Sequence, residues 1–170
     1  DNTVCYYNTR VDRMGSHASQ LAKTVCIFSP LQFLYWYDKA PEAPVKDDAL
    51  WGNTNTIGNE PELEFFNNVP TTWDEIKVLQ AEIGEIGVIA RRKGNDWFVG
   101  GINGRIARNL NIDFSFLESG VRYKAKVYSD DETVETRTHV KIEEIQLAND
   151  SQLNLELKSN NGFAMHIIKL

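Results

Sequence analysis

The sequence has no apolar stretch of about 18 residues, the length that a membrane-spanning helix needs. Its longest candidate is interrupted by Lys23, Ser29 and Pro30. We therefore expect no membrane span. The N-terminus also lacks the basic segment and the apolar core of a signal peptide. Either an export signal has been removed or the sequence begins inside a longer protein, and we expect the second.

Basic residues and cysteines are scarce as well. The chain carries 18 Lys and Arg against 24 Asp and Glu, a net charge of -6, and its one basic run is 91–93. A phosphate backbone would be repelled by this balance, so nucleic acid is not an expected partner. The only cysteines are Cys5 and Cys26. Cys26 falls in an apolar helical pattern, which favours a buried free thiol over a disulfide.

Proline is absent from the last hundred residues, whereas all five prolines fall within the first seventy. The two parts follow different patterns. Residues 1–80 combine helical periodicity with an apolar run of strand length, and residues 81–170 alternate short β-rich runs with turns. The sequence therefore predicts an α/β segment followed by an all-β domain.

The α/β segment begins with a predicted amphipathic helix after Ser16 or His17. Its apolar stripe is Ala18, Leu21, Ala22, Val25 and Cys26, with Ser19, Gln20, Lys23 and Thr24 expected on the opposite, polar face. Pro30 ends this pattern. Residues 31–37 form a continuous apolar and aromatic run, which predicts a strand buried on both faces of a parallel sheet.

Residues 38–59 hold two prolines and several turn residues, which predicts a long surface loop. Pro61 suits the first turn of a second helix, which Pro70 ends. Glu60, Glu62 and Glu64 suit its positive N-terminus, and Leu63 and Phe66, with Phe65 as a further candidate, are predicted to face the core. Because one parallel strand cannot form a sheet alone, we interpret residues 1–80 as the last elements of a (β/α)8 barrel.

The all-β part predicts eight strands separated by tight turns. Leu110, Ile112 and Phe114 point one way in this pattern, and Leu153, Leu155 and Leu157 repeat it. Regular spacing favours an antiparallel sandwich with Greek-key connections. The glycine-rich run 100–104 is interpreted as a turn. The predicted strands are 76–82, 86–92, 97–102, 105–113, 123–129, 139–147, 152–157 and 163–170.

Candidate site residues follow from the barrel hypothesis. Barrel active sites lie at the carboxyl ends of the strands, where aromatic side chains commonly line a ligand pocket. Asp74 and Glu75 are adjacent, so on an extended segment they cannot face each other across a scissile bond, and a structural role is favoured. The spacing of His17, His139 and His166 predicts no zinc site. The substrate-proximal candidates are Trp36, Tyr37, Asp38, Trp73 and Asp74.

Three segments resemble the C-terminal part of glycoside hydrolase family 97. They are Ser29-Pro30-Leu31-Gln32, the Pro-Thr-Thr-Trp-Asp-Glu run at 70–75, and the hairpin at 83–99. The match weakens at 47–58, where a polar insertion lengthens the loop. The resemblance implies an enzyme that hydrolyses α-glucosides or α-galactosides, with an upstream catalytic barrel and an oligosaccharide substrate as partners.

The resemblance also implies where the chemistry lies. The family carries its catalytic carboxylates and the ligands of its calcium ion on earlier barrel strands, so no residue of this chain is expected to be catalytic or to bind metal. A periplasmic or secreted bacterial location is implied. Glucose or galactose specificity, and inversion or retention, stay open, because the deciding residues lie elsewhere.

Two other functions remain possible on the sequence. A non-catalytic glycan-binding sandwich would expose Trp97, Tyr123 or Tyr128 as a stacking platform. A purely structural interaction domain would bind no sugar at all. Saturable glycan binding is the property that separates these alternatives.

Overall fold

The computed structural model describes residues 1–6, 14–34 and 60–170. Most of the described residues lie in β-strands, and the larger sheet is antiparallel throughout. No helix of the described ranges is both long enough and apolar enough to cross a membrane. The elements are β1 Asn2–Val4, α1 His17–Cys26, β2 Gln32–Leu34, α2 Leu63–Asn68, β3 Glu75–Glu82, β4 Ile86–Lys93, β5 Asp96–Asn103, β6 Arg108–Asp113, β7 Tyr123–Asp130, β8 Val140–Leu147, β9 Gln152–Leu157 and β10 Gly162–Lys169.

Six strands form one sheet in the order β3-β4-β5-β10-β7-β8, and β6 pairs with β9 in a separate antiparallel ribbon. All eight strands predicted for the C-terminal part are therefore present, and the predicted strand 152–157 has the same bounds as β9. The predicted division between residues 80 and 81 falls inside β3. The assignment of two domains stays a prediction.

The β6–β9 ribbon packs on one face of the six-stranded sheet, here called the inner face. The core between them contains Leu110 and Ile112 from β6, Leu157 from β9, and Val99 and Met165 from the sheet. Each of these is at most 3% exposed. The alternation of leucine and isoleucine along β6 and β9 therefore has the predicted cause, because every second residue enters this core.

The opposite, outer face of the sheet is covered by α1 and α2. A side chain at Gly100 would meet the Ala22 carbonyl oxygen at 2.7 Å, and one at Gly162 would meet the Ser19 Cα at 2.6 Å. The two glycines let α1 lie directly on β5 and β10. Gly100 and Gly101 belong to β5, which runs to Asn103, so the interpretation of 100–104 as a turn was wrong.

Helix α1 forms where the apolar stripe predicted it, and Ser16 is its N-cap, accepting a hydrogen bond from the Ser19 backbone N–H. The predicted polar face was wrong. Ser19, Gln20 and Thr24 are at most 3% exposed, because helix α1 is covered on both sides. Their polar atoms are satisfied locally: Thr24 donates to the Leu21 carbonyl at 2.7 Å and Gln20 to the Met14 carbonyl at 2.8 Å.

The run 31–37 was predicted to be a strand buried on both faces. The structure places β2 in it, paired in parallel with β1, and β1, α1 and β2 form a βαβ unit. Burial on both faces is wrong for the described residues, since Leu31 is 55% and Phe33 48% exposed. Two strands alone cannot cover their own faces. Residues 35–37 and the predicted loop 38–59 lie outside the described residues.

Helix α2 begins two residues after Pro61 and packs on the outer face through Phe65, which is fully buried. Phe65 meets Phe98 and Tyr128 edge to face, with ring centroids 6.0 and 5.2 Å apart. Leu63 and Phe66, predicted as the core residues, are only partly buried. At about 100° per residue, positions 63, 65 and 66 point in different directions around the helix axis, so one sheet cannot bury all three side chains fully.

Candidate functional site

Of the five substrate-proximal candidates, the structure describes two. Trp36, Tyr37 and Asp38 lie outside the described residues. Trp73 and Asp74 immediately precede β3, where the chain passes from α2 into the six-stranded sheet. The surfaces around these two residues are the candidate site, and sugar contact by any of the five stays a prediction.

Asp74 holds the turn between β4 and β5. One carboxylate oxygen lies 3.0 Å from the Lys93 ammonium group, and the other accepts the Gly94 backbone N–H at 2.8 Å. These contacts, the Gly94 hydrogen bond first, lower the pKa of Asp74. The side chain is exposed. Its bonds to Lys93 and Gly94 explain why an acidic residue stands here: it caps the β4–β5 hairpin.

Glu75 points to different partners. Its carboxylate lies 3.0 Å from Arg92 Nε and 2.9 Å from Lys77 Nζ. Hydrogen bonds from these two side chains lower the pKa of Glu75. Adjacent Asp74 and Glu75 are thus engaged by separate sets of cations, in line with the structural role that their spacing favours.

Trp73 lies on the outer face of the sheet. Its ring meets Phe98 edge to face at 5.6 Å between centroids, and the Arg91 guanidinium carbon lies 5.8 Å from the Trp73 ring. The buried indole Nε1 has no hydrogen-bond partner among the described residues. Trp73 is half-buried, so its indole forms part of the contact between the chain entering β3 and the sheet.

Arg91 is a residue that the sequence did not single out. It is 6% exposed on the outer face of β4, with its guanidinium carbon 5.5 Å from the Phe28 ring. Burial lowers the pKa of Arg91, and its Nε has no hydrogen-bond partner in the described part of the chain. In β4, Val88 and Ala90 point to the inner core, so Arg91 lies on the opposite face of the strand. A helix covering the second face of the sheet was the missing information.

A second polar contact, between Asp130 and the start of α1, was also missed. Asp130 on β7 accepts hydrogen bonds from the Ser16 hydroxyl at 2.5 Å, the Ala18 N–H at 3.2 Å and the Gly162 N–H at 3.0 Å. Burial raises the pKa of Asp130 and these three bonds oppose the rise. The carboxylate at the helix N-terminus fixes α1 to two strands.

The Tyr6 hydroxyl joins β1 to α2. It donates to Glu62 at 2.8 Å, and both residues are at most 1% exposed. The Tyr6 ring meets Phe66 edge to face at 5.1 Å. Together with Val4, Leu21 and Val25, these residues form a second core between the N-terminal elements and the outer face.

The aromatic residues of the glycan-binding alternative are buried. Trp97, Tyr123 and Tyr128 are 5%, 3% and 1% exposed. The predicted stacking platform is therefore wrong for all three side chains. Trp97 and Tyr123 point to the inner core, and Tyr128 points to the outer one.

Comparison with known proteins gives one family match. Residues 72–168 match the family model described as the C-terminal, oligomerisation domain of glycosyl hydrolase 97. A retaining α-galactosidase of Bacteroides thetaiotaomicron is 38% identical over 110 residues, which are 64% of this chain and 16% of that protein.

Solved structures agree with this match. A family 97 enzyme from Pseudoalteromonas sp. strain K8, in complex with acarbose, aligns over 92% of this chain and 23% of its own, with a TM-score of 0.71 and 27% identity. A β-arabinopyranosidase aligns over 89% of this chain and 21% of its own, with a TM-score of 0.63 and 23% identity, which shows a shared fold alone. The chain spans at most about a quarter of these relatives.

Proposed function

Since the chain belongs to glycoside hydrolase family 97 as its C-terminal module, we propose that it completes an enzyme that hydrolyses terminal α-galactosides with retention. The observation that carries this substrate is the 38% identity to a retaining α-galactosidase. The Pseudoalteromonas enzyme, solved with acarbose and panose, is 27% identical. It supports α-glucoside hydrolysis as the second candidate.

The N-terminal elements support a role in closing a catalytic barrel. β1, α1 and β2 form a parallel βαβ unit, the repeating unit of a (β/α)8 barrel. Leu31, just before β2, and Phe33, on β2, leave apolar surface exposed. Further parallel strands from an upstream barrel would cover this surface, which is the arrangement that the family implies.

The sandwich would stabilise that barrel. Its outer face buries α1 and α2 through Phe65, Phe98 and Tyr128, and Asp130 fixes the start of α1. Burying these aromatic side chains contributes on the order of 2 kcal/mol each. A module of this kind holds the last barrel helices in place without contributing a reacting group.

A role in self-association is supported by the tip of the β3–β4 hairpin, at residues 83–85. Ile83 at its tip is fully exposed and Ile106 is 61% exposed. A shallow cleft lined by residues 81–87 and 102–104 lies beside them. The matched family model is itself described as an oligomerisation domain. We include contact between two copies at this tip in the proposed function.

Calcium and location rest on the resemblance alone. The described ranges contain no group of three or more His, Cys, Asp or Glu side chains placed to hold a metal ion. The described residues therefore do not fit the ion, and we propose that the calcium site belongs to the upstream barrel. A periplasmic or secreted location is proposed with it.

The test is an assay of the full-length protein on nitrophenyl α-galactoside and α-glucoside, with product anomers followed by NMR. Hydrolysis of the α-galactoside with retained configuration supports the proposal. Preference for the α-glucoside moves the assignment to the second candidate. No hydrolysis of either substrate, with and without calcium, overturns it, and saturable glycan binding by the 170-residue chain would then favour the glycan-binding alternative.

A further inference from the structure

One part of the outer face is left uncovered. The strand register places Ile76 of β3, Arg91 of β4, Phe98 of β5 and His166 of β10 in one row across this face. Helices α1 and α2 cover the row at Phe98 and beyond. At the β3 end, Ile76 remains 51% exposed. The cover therefore stops at Arg91.

Apolar side chains surround this uncovered end. Val78 is 62% exposed and shares the outer face of β3 with Ile76, while Ile27 and Phe28, at the end of α1, are 45% and 60% exposed. The Phe28 ring lies 5.5 Å from the Arg91 guanidinium carbon, which connects the helix end to the sheet. We name these four residues, Ile27, Phe28, Ile76 and Val78, the β3 patch.

Arg91 is a buried cation beside this apolar surface, and it needs a negatively charged partner. It is 6% exposed and lies between Phe28 and Trp73, yet within the described parts of the chain it has no carboxylate partner. Its Nε and the Trp73 Nε1 are buried, and residues 1–6, 14–34 and 60–170 supply neither of them with a hydrogen-bond acceptor. A buried cation is costly unless an anion neutralises it. The surface around Arg91 thus presents two hydrogen-bond donors, Arg91 Nε and Trp73 Nε1, for which a docking partner would have to supply acceptors.

We propose that the β3 patch is a docking surface for the upstream catalytic part of the same polypeptide, which places an Asp or Glu carboxylate against Arg91. This inference rests on the proposed function, namely that the chain completes a longer hydrolase. The relatives extend well beyond the matched part, which is 16% of one and 23% of another. Arginine flanked by aromatic residues is also the composition of the energetically dominant centre of interfaces.

Other occupants fit the β3 patch less well. Its four side chains are aliphatic or aromatic, and they offer no acceptors for the hydroxyl groups of a sugar. The proposed contact between copies lies at Ile83, in the turn between β3 and β4. An intramolecular partner has a further advantage, because the high effective concentration of a linked segment favours a small contact.

Site-specific photo-crosslinking in the full-length protein tests the occupant. A benzophenone amino acid replaces Phe28 in one variant, Ile76 in a second and Ile83 in a third, and cross-linked peptides are identified by mass spectrometry. Positions 28 and 76 should link to upstream segments of the same chain, and position 83 should not. Links from 28 and 76 to a second copy, or no protein link from either, overturn the proposal.

Hydrogen exchange tests Arg91. In the full-length protein, Arg91→Met should raise the opening rate reported by the amides of 75–82 roughly tenfold or more, because one partner of a buried ion pair is lost. The matched control is Arg92→Met, on the opposite face of β4 with Glu75 as its partner. Equal exchange in the two variants contradicts the ion pair.

Charge reversal is the final test of the ion pair at Arg91. Arg91→Glu should open the contact between the β3 patch and the upstream segment. Replacing one Asp or Glu of the cross-linked peptide by Arg should then restore the protection of amides 75–82 from hydrogen exchange in the double variant. Failure to restore it with every carboxylate in the cross-linked peptide overturns the ion pair. Hydrolysis by the wild-type full-length protein is measured alongside: its absence refutes the proposed function, whereas hydrolysis without upstream cross-links refutes this inference alone.

Discussion

The Asp130 carboxylate on β7 accepts a hydrogen bond from the Ser16 hydroxyl at 2.5 Å, although 114 positions separate the two residues in the chain. The same carboxylate accepts the backbone N–H groups of Ala18 and Gly162. One side chain therefore joins the first turn of α1 to two neighbouring strands. It makes the packing of helix on sheet sensitive to pH.

The first prediction concerns this pH dependence. Because burial raises the folded-state pKa of Asp130 above its unfolded value, its contribution to stability is fully present below the unfolded pKa and is lost as pH rises through the folded one. Asp130→Asn removes this titration. The stability of wild type relative to Asp130→Asn, measured by urea unfolding, should fall as pH rises through that range.

Asp131→Asn is the matched control for Asp130. Asp131 is exposed and its pKa is lowered by hydrogen bonds from Thr133, so its contribution is present at higher pH and lost as pH falls. The two variants should therefore change the pH profile in opposite directions. Profiles that change in the same direction would contradict the assigned environment of Asp130.

The second prediction concerns Gly101 in β5. An added Cβ would lie 1.9 Å from a ring carbon of the fully buried Phe163. Gly101→Ala should lower the free energy of unfolding by about 1–3 kcal/mol or more, since the ring must move in a packed core. In β4, Gly87 has nothing within 4 Å of the equivalent position, so Gly87→Ala should be close to neutral in the same denaturant titration.

The third prediction concerns Asp74. Its two contacts hold the β4–β5 turn. Asp74→Ala should lower the melting temperature of the 170-residue chain, because Lys93 and the Gly94 N–H lose their partner. In the full-length enzyme, kcat/KM should stay unchanged below the new melting temperature. A large loss of kcat/KM without a loss of stability would instead place Asp74 beside the substrate.

The fourth prediction concerns the thiols. Both cysteines are free, and burial raises the pKa of Cys26 to about 12. At pH 8 the Cys26 thiolate is therefore scarce, and alkylation should modify Cys5 first, with Cys26 reacting only after urea unfolding. Peptide mapping of a timed alkylation measures both rates. Equal rates in the native protein would contradict the packing of α1 on β4 and β5.

The strands were the most predictable part of the structure. Period-two alternation at Leu110, Ile112 and Phe114 placed β6, because one face of that ribbon is buried and the other is exposed. Helical periodicity located α1 but placed Ser19 and Gln20 on a polar face, although both sides of the helix are buried. The continuous apolar run predicted a buried strand at Phe33, whose predicted cover is absent from the described residues.

The site was less predictable than the fold. Asp74 could be assigned a structural role from its adjacency to Glu75, but Arg91 and Asp130 gave no local signal. Both occupy positions that alternation assigns to solvent. Trp73 was singled out as a substrate-proximal residue. Its described neighbours are Phe98 and Arg91, and its contact with sugar stays a prediction.

The sequence by itself determined the strand pattern, the first helix and the family, because these depend on local periodicity, turn residues and short motifs. Only the tertiary structure decided that both faces of the six-stranded sheet are used. That covering brings Ser16 to Asp130 and Phe28 to Arg91 from distant parts of the chain. Local periodicity reports whether a face is apolar, but which segment packs on it depends on long-range packing of the whole chain.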